Sequence, residues 1–128
     1  GIIELMKEIT HRQRIGKWGE DKAVSYLQDK GLTLVARNER TDFGEVDLIM
    51  MDGADLIFIE VKTRTTATFG LPEEAINARK RDHLIQSAEA YLQTHEGLPD
   101  SWRIDVIAIR GKPSVGNPEI EWFQNAVV

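Results

Sequence analysis

Cysteine is absent from the 128 residues, so neither a disulfide framework nor a thiolate metal site can exist, which suits a reducing compartment. Histidine is scarce: His11, His83 and His95 stand far apart and offer no zinc-binding spacing. No apolar run approaches the length needed to span a bilayer, and the opening GIIELMKEITHRQR has acids within it and lacks a signal-peptide layout. No membrane contact is therefore expected, and the expected location is cytoplasmic. Repeats, low-complexity segments and linkers are also missing, so one domain is expected over residues 1–128. At that length a domain buries roughly two thirds of the surface its unfolded chain exposes, and needs no staples.

An excess of basic charge is lacking too. The net charge is -5, which argues against a protein that coats nucleic acid indiscriminately. Its distribution says more. Residues 11–40 carry a net +3 and residues 62–81 a net +3, whereas residues 41–61 hold six acids and no base. An acid cluster thus lies between two basic segments, as expected where metal and phosphate meet. Taken alone, that distribution reads as solvated surface charge.

The pattern along the chain predicts a helix from Gly16 to about Lys30, with Ala23, Val24 and Leu27 at helical spacing and Gly31 as its stop. Strands follow in LTLVARN, EVDLIMM and LIFIEVKT, the last two joined by DGAD with its Asp-Gly turn chemistry. RTTATFG is a predicted loop. Pro72 opens a second helix running to about His95, with Glu73 and Glu74 in its first turn where the dipole favours acids. WRIDVIAI is a further strand, and EIEWFQ, after the loop GKPSVGNP, a short edge strand. The predicted fold is α/β, with core order αβββαβ and helices packed on a central sheet. Residues 1–15 form an N-terminal extension, either a short amphipathic helix or an extended tail; residues 16–110 are the core, and 111–128 a C-terminal loop and edge strand.

Two of the apolar strands carry an acid in the middle, Asp47 and Glu60. An unpaired carboxylate in a core costs several kcal/mol or more, so something must hold these charges. Side chains alternate across a strand, so Glu45 and Asp47 share a face, as do Phe58, Glu60 and Lys62. A two-residue loop at Asp52-Gly53 sets Asp47 opposite Phe58, and a four-residue loop sets it opposite Glu60. Both bring the acids to one side; a three-residue loop would split them. Glu20 lies three, four and seven residues before Ala23, Val24 and Leu27, so it continues the buried stripe of the first helix toward the sheet. Three converging carboxylates repel one another unless a hard divalent cation neutralises them. Lys62 stands on the same face, where its ammonium can polarise water or offset charge building on phosphorus. The plainer alternatives are that Lys62 pairs with Glu60 or Glu45, and that Glu20 is an acid favoured by the helix dipole.

These residues carry a resemblance. Val46-Asp47, twelve further residues and Glu60-Val61-Lys62 resemble the PD-(D/E)xK nuclease motif, with Val46 in the position of the proline. GKWGEDKAVSYLQDKGLTLVARNER, FGEVDLIMMDGADLIFIEVKTR and RIDVIAI resemble the bacterial YraN family, itself similar to archaeal Holliday junction resolvases. The likeness spans about residues 16–110. It implies a restriction-endonuclease-like fold with a mixed sheet, and Mg²⁺- or Mn²⁺-dependent cleavage of DNA phosphodiesters, with branched DNA as the substrate class. It implies Asp47 and Glu60 as metal ligands with Glu20 as the first-helix acid, Lys62 as the catalytic lysine, Lys80 as the lysine of the following helix, and a homodimer. Its rival is a non-catalytic nucleic-acid-binding or adaptor protein that keeps the fold.

Other residues are candidates of lower rank. Arg64, beside the loop to Gly70, and Arg79, Lys80 and Arg81 at the edge of the second helix are expected to contact the DNA backbone. Asp105 is expected to pair structurally with Arg103 or Arg37. His83 is expected to be a partly exposed helix histidine, and the tryptophans and tyrosines to be core residues rather than a base-stacking platform.

Overall fold

The computed structural model describes residues 1–65 and 77–126. Its elements are α1 (Ile2–Asp29), β1 (Thr33–Thr41), β2 (Gly44–Asp52), β3 (Asp55–Arg64), α2 (Ala78–Thr94), β4 (Trp102–Arg110) and β5 (Glu119–Phe123). The five strands form one sheet in the order β1-β2-β3-β4-β5. β3 and β4 pair in parallel and every other neighbouring pair is antiparallel, so the sheet is mixed. The parallel pair needs a crossover, and α2 lies on it. The order αβββαβ is the one expected, with β5 added at the edge beside β4.

One helix covers each face. Ala23, Val24 and Leu27 of α1 pack on Leu48, Met50, Ile57, Ile59, Ile107 and Ile109. On the other face Leu84, Ala88 and Tyr91 of α2 pack on Val46, Ile49, Phe58, Ile104 and Val106. β3 is central and covered on both sides, which is why Leu56, Ile57, Phe58 and Ile59 form an unbroken buried run. Each such side chain contributes about 1.5–3 kcal/mol relative to exposure. Phe58 meets Tyr91 and Trp102 edge-on, both with ring centroids 5.8 Å away. Trp18, Trp122 and Tyr26 pack against the α1-side core, so the aromatics serve the core as expected.

α1 is much longer than the sequence pattern from Gly16 implied. Its apolar series continues backward through Ile9, Met6, Leu5 and Ile2 at the same three- and four-residue spacing, and no proline interrupts it. Residues 1–14 project beyond the sheet, and that part of the series stays exposed. Glycine within the helix has a packing reason at Gly19. A β-carbon there would stand 2.0 Å from Thr63 Oγ1, so the bare backbone lets α1 lie against β3. Gly31, at φ +95°, ends the helix as expected.

α2 starts at Ala78, where the Asn77 side chain accepts from the Lys80 N–H at 2.8 Å. The expected start at Pro72, with Glu73 and Glu74, lies outside the described residues. Asp105 is fully buried and satisfied: Arg103 Nε (3.0 Å), Trp122 Nε1 (2.9 Å) and the Asn125 N–H (2.8 Å) all donate to it. Its partner is thus Arg103 and not Arg37. Burial works against the Arg103 charge, but the hydrogen bonds and charges of Asp105 and Asp52 outweigh it and raise its pKa. Among the described residues, no helix is long and apolar enough to cross a membrane.

Candidate functional site

The site lies where the central hairpin opens. Asp52 pairs with Asp55 around a Gly53-Ala54 turn, Gly53 having φ +60°, as glycine has at the first central position of a II′ turn. The ladder then runs to Leu48 opposite Ile59. One residue further along this register Asp47 falls across from Glu60, and here a side chain replaces the backbone rung. The Asp47 carboxylate accepts the Val61 N–H at 2.8 Å. Of the two registers compatible with clustered acids, the protein adopts the one that opposes Asp47 and Glu60 directly.

Glu60 follows Leu56 and Phe58 by alternation, which places it toward the α2 layer, whereas Glu20 descends from α1 on the opposite layer. Both nevertheless reach one cleft, beyond the last paired rung of the hairpin. Glu20, Asp47, Glu60 and Lys62 all line one cavity of about 530 Å³, together with Thr63 of β3 and His11, Arg12, Ile15 and Gly16 of α1.

Electrostatics in the cleft is uneven. Glu60 is 5% exposed; Lys80 Nζ lies 3.1 Å and Lys62 Nζ 3.4 Å from its Oε1. Its Oε2 is buried and, among the described residues, has no hydrogen-bond partner. Asp47 is pushed from an ordinary 3.8 up to about 7, first by burial and next by the Glu60 charge; the Val61 hydrogen bond opposes the shift, Glu20 adds to it and Lys80 lowers it. Glu20 is engaged elsewhere. Asn38 Nδ2 donates to both of its oxygens, at 3.1 and 3.2 Å, and to Glu45 Oε1 at 3.1 Å. Arg37 sits 3.7 Å from Glu20 and bonds Asp21 at 2.7 Å.

Among the described residues, no three carboxylates or imidazoles gather closely enough to enclose a metal ion. Glu20, bonded by Asn38 of β1, lines the same cavity as Asp47 and Glu60 without closing a three-acid group around one point. A two-carboxylate site remains at Asp47 and Glu60. It fits Mg²⁺ or Mn²⁺ chemically: the donors are hard oxygens, one of them buried and without a partner among the described residues, and Mg²⁺ is commonly held by one or two carboxylates and water.

The basic residues divide. Lys80 turns inward to Glu60, while Arg79 and Arg81 beside it are exposed, as is Arg64 at the end of β3. His83 is exposed on α2, and His95 stacks on Tyr91 at 3.9 Å. Sequence reasoning missed Asn38. It sits in β1 at φ +49°, a left-handed conformation that asparagine tolerates better than most residues, and its place within a run of strand formers was the available signal. Nor did the pattern indicate that Arg12, in the N-terminal extension, reaches the cavity.

Fold and cleft define the class: a mixed-sheet α/β protein with two opposed carboxylates and two lysines where its central hairpin opens. The chain belongs to the uncharacterised protein family UPF0102, the YraN-like group, whose model matches residues 19–109. It is 39% identical over 123 residues to a UPF0102 protein of Herminiimonas arsenicoxydans, covering 96% of this chain and 94% of that protein. To one of Desulfitobacterium hafniense (strain Y51) it is 42% identical over 117 residues, with coverage of 89% and 96%. To one of Methylobacillus flagellatus it is 42% identical over 114 residues, with coverage of 89% and 96%.

Proposed function

We propose that this protein is a metal-dependent endonuclease that hydrolyses DNA phosphodiester bonds, with branched DNA as its substrate class. The observation that carries the reading is the pairing, in one cleft, of a buried Glu60 oxygen that has no partner among the described residues and an Asp47 whose charge its surroundings disfavour. Such a pair is poised for a cation. The resemblance of Asp47, Glu60 and Lys62 to the PD-(D/E)xK motif, and of the chain to archaeal Holliday junction resolvases, supports the choice of substrate.

Mg²⁺ or Mn²⁺ bound through Asp47 and Glu60 would supply Lewis-acid stabilisation of the phosphodiester and an acidified water. The chain's own residues do the rest. Asp47 must lose its proton to act as a ligand, and the Val61 N–H holds its carboxylate in place as it does so. Lys62, at the mouth of the same cavity, offsets charge that grows on the phosphate oxygens in the transition state. Lys80 balances Glu60 from the α2 side. Glu20, fixed by Asn38, would orient water beside such a cation. Two copies of the chain, each with one site, would serve symmetric cuts in two strands.

The non-catalytic reading has an observation of its own, since Lys62 and Lys80 already pair with Glu60 and can make the cluster a structural ion network. A cleavage assay decides between the two. Linear, flap, gapped and four-way DNA are incubated with the protein in Mg²⁺, Mn²⁺ or EDTA. Metal-dependent cutting of at least one form, lost in Glu60→Gln, is the expected result; no cutting of any form would favour the adaptor.

A further inference from the structure

The cavity does not stop at the acids. It runs along α1 toward the N-terminus, past Gly16 to Arg12, both upstream of the span that matches the family model. Arg12, Gly16 and Glu20 are four residues apart in turn and therefore lie along one side of the helix. Eight residues at 1.5 Å each put Arg12 about 12 Å from Glu20, roughly three to four nucleotide steps of a DNA strand at 3.4 Å per step.

Among the described residues Gly16 has no packing reason: none of them lies within 4 Å of a β-carbon placed there, in contrast to Gly19, where Thr63 fills the space. A glycine inside a helix lowers its stability relative to alanine, and here no neighbour needs the room. The room is in the groove, between a cation and the acids. Among the described residues Arg12 pairs with Glu8 alone, an exposed pair one helical turn apart at 2.7 Å, and such pairs are easily exchanged for another anion.

We propose that the groove along α1 from Glu20 to Arg12 seats one strand of the DNA substrate, with the Arg12 guanidinium on a backbone phosphate and the bare Gly16 backbone leaving the strand room to lie against the helix. This rests on the nuclease reading above and assigns the N-terminal half of α1 to substrate binding. Arginine suits the task because its planar fork matches phosphate oxygens.

The test is fluorescence anisotropy of a labelled four-way DNA junction titrated with the full chain across a range of salt, beside melting curves. Arg12→Gln should bind about three- to tenfold more weakly and reduce the slope of log K against log salt by about one. Gly16→Phe should weaken binding at least as much while melting no lower than the wild type, because none of the described residues occupies that space. Gly16→Ala should melt higher and bind more weakly than the wild type, though less so than Gly16→Phe. Lys30→Gln, the same charge change at the far end of the helix, should leave binding unaltered. If the wild type binds and both Arg12→Gln and Gly16→Phe bind equally well, the strand does not follow α1 and the inference falls while the nuclease reading stands. A lowered melting temperature in Gly16→Phe overturns the open groove, and a wild type that binds no DNA removes both readings.

Discussion

Asp47→Asn should make the protein more stable, and by an amount that depends on pH. In the folded chain the Asp47 carboxyl is raised to about 7, so between about pH 4 and 7 the native state holds a proton that the unfolded state has released. Stability is therefore full below the unfolded value of 3.8 and is lost as pH rises through about 7. From 3.8 to about 7, at roughly 1.4 kcal/mol per pH unit, the loss reaches at most about 4 kcal/mol. Asparagine keeps an oxygen for the Val61 N–H and carries no charge, so the variant escapes the loss.

The assay is thermal unfolding of both proteins in EDTA at pH 5 and pH 8. At pH 8 the variant should melt higher, by about 10–15 °C if the full effect is expressed in a domain of this size. At pH 5 the gap should fall to less than about half, because the wild-type carboxyl is then mostly neutral when folded. A variant no more stable than the wild type at pH 8, or a gap equal at both pH values, would refute the electrostatic account of the cleft.

Mg²⁺ at millimolar concentration should stabilise the wild type, by about 2.7 kcal/mol at a hundredfold excess over the dissociation constant, and so raise its melting temperature while leaving Asp47→Asn nearly unmoved; identical wild-type curves with and without metal would count against the two-carboxylate site. Lys62→Met should cut DNA orders of magnitude more slowly yet bind it almost as well, whereas Arg79 and Arg81 neutralised together should weaken binding and flatten its salt dependence; wild-type turnover in Lys62→Met under saturating DNA and metal would remove the lysine from the chemistry. Gly19→Ala should lose about 1–3 kcal/mol in urea unfolding, because the new methyl meets Thr63, and Thr63→Ala should restore part of it; an unaffected midpoint would mean that α1 does not lie so close to β3.

The strands were legible because their apolar runs are strong, and β3 most of all, since a central strand covered on both faces needs no alternation. The register of the hairpin was legible only to a pair of choices. Asp-Gly chemistry points to a turn at residues 52–53, yet the turn sits at 53–54 and pairs Asp52 with Asp55. Like charges directly opposed disfavour that register on local grounds. A residue 48 positions away compensates: Arg103 of β4 donates to Asp55 at 3.3 Å and to Asp52 at 3.4 Å, bridging the two acids. A tertiary cation thus belongs to the register that sets Asp47 against Glu60, and no local window of sequence contains it. Helical spacing told correctly which side of α1 Glu20 occupies, but not that Glu60 belongs by alternation to the other layer of the sheet. Both reach one cleft beyond the last paired rung of the hairpin, where a carboxylate takes the place of a backbone rung. Cleft and charge therefore share one hydrogen bond: the bond that stands where the ladder ends also holds the Asp47 carboxylate beside Glu60, where burial and repulsion raise its pKa.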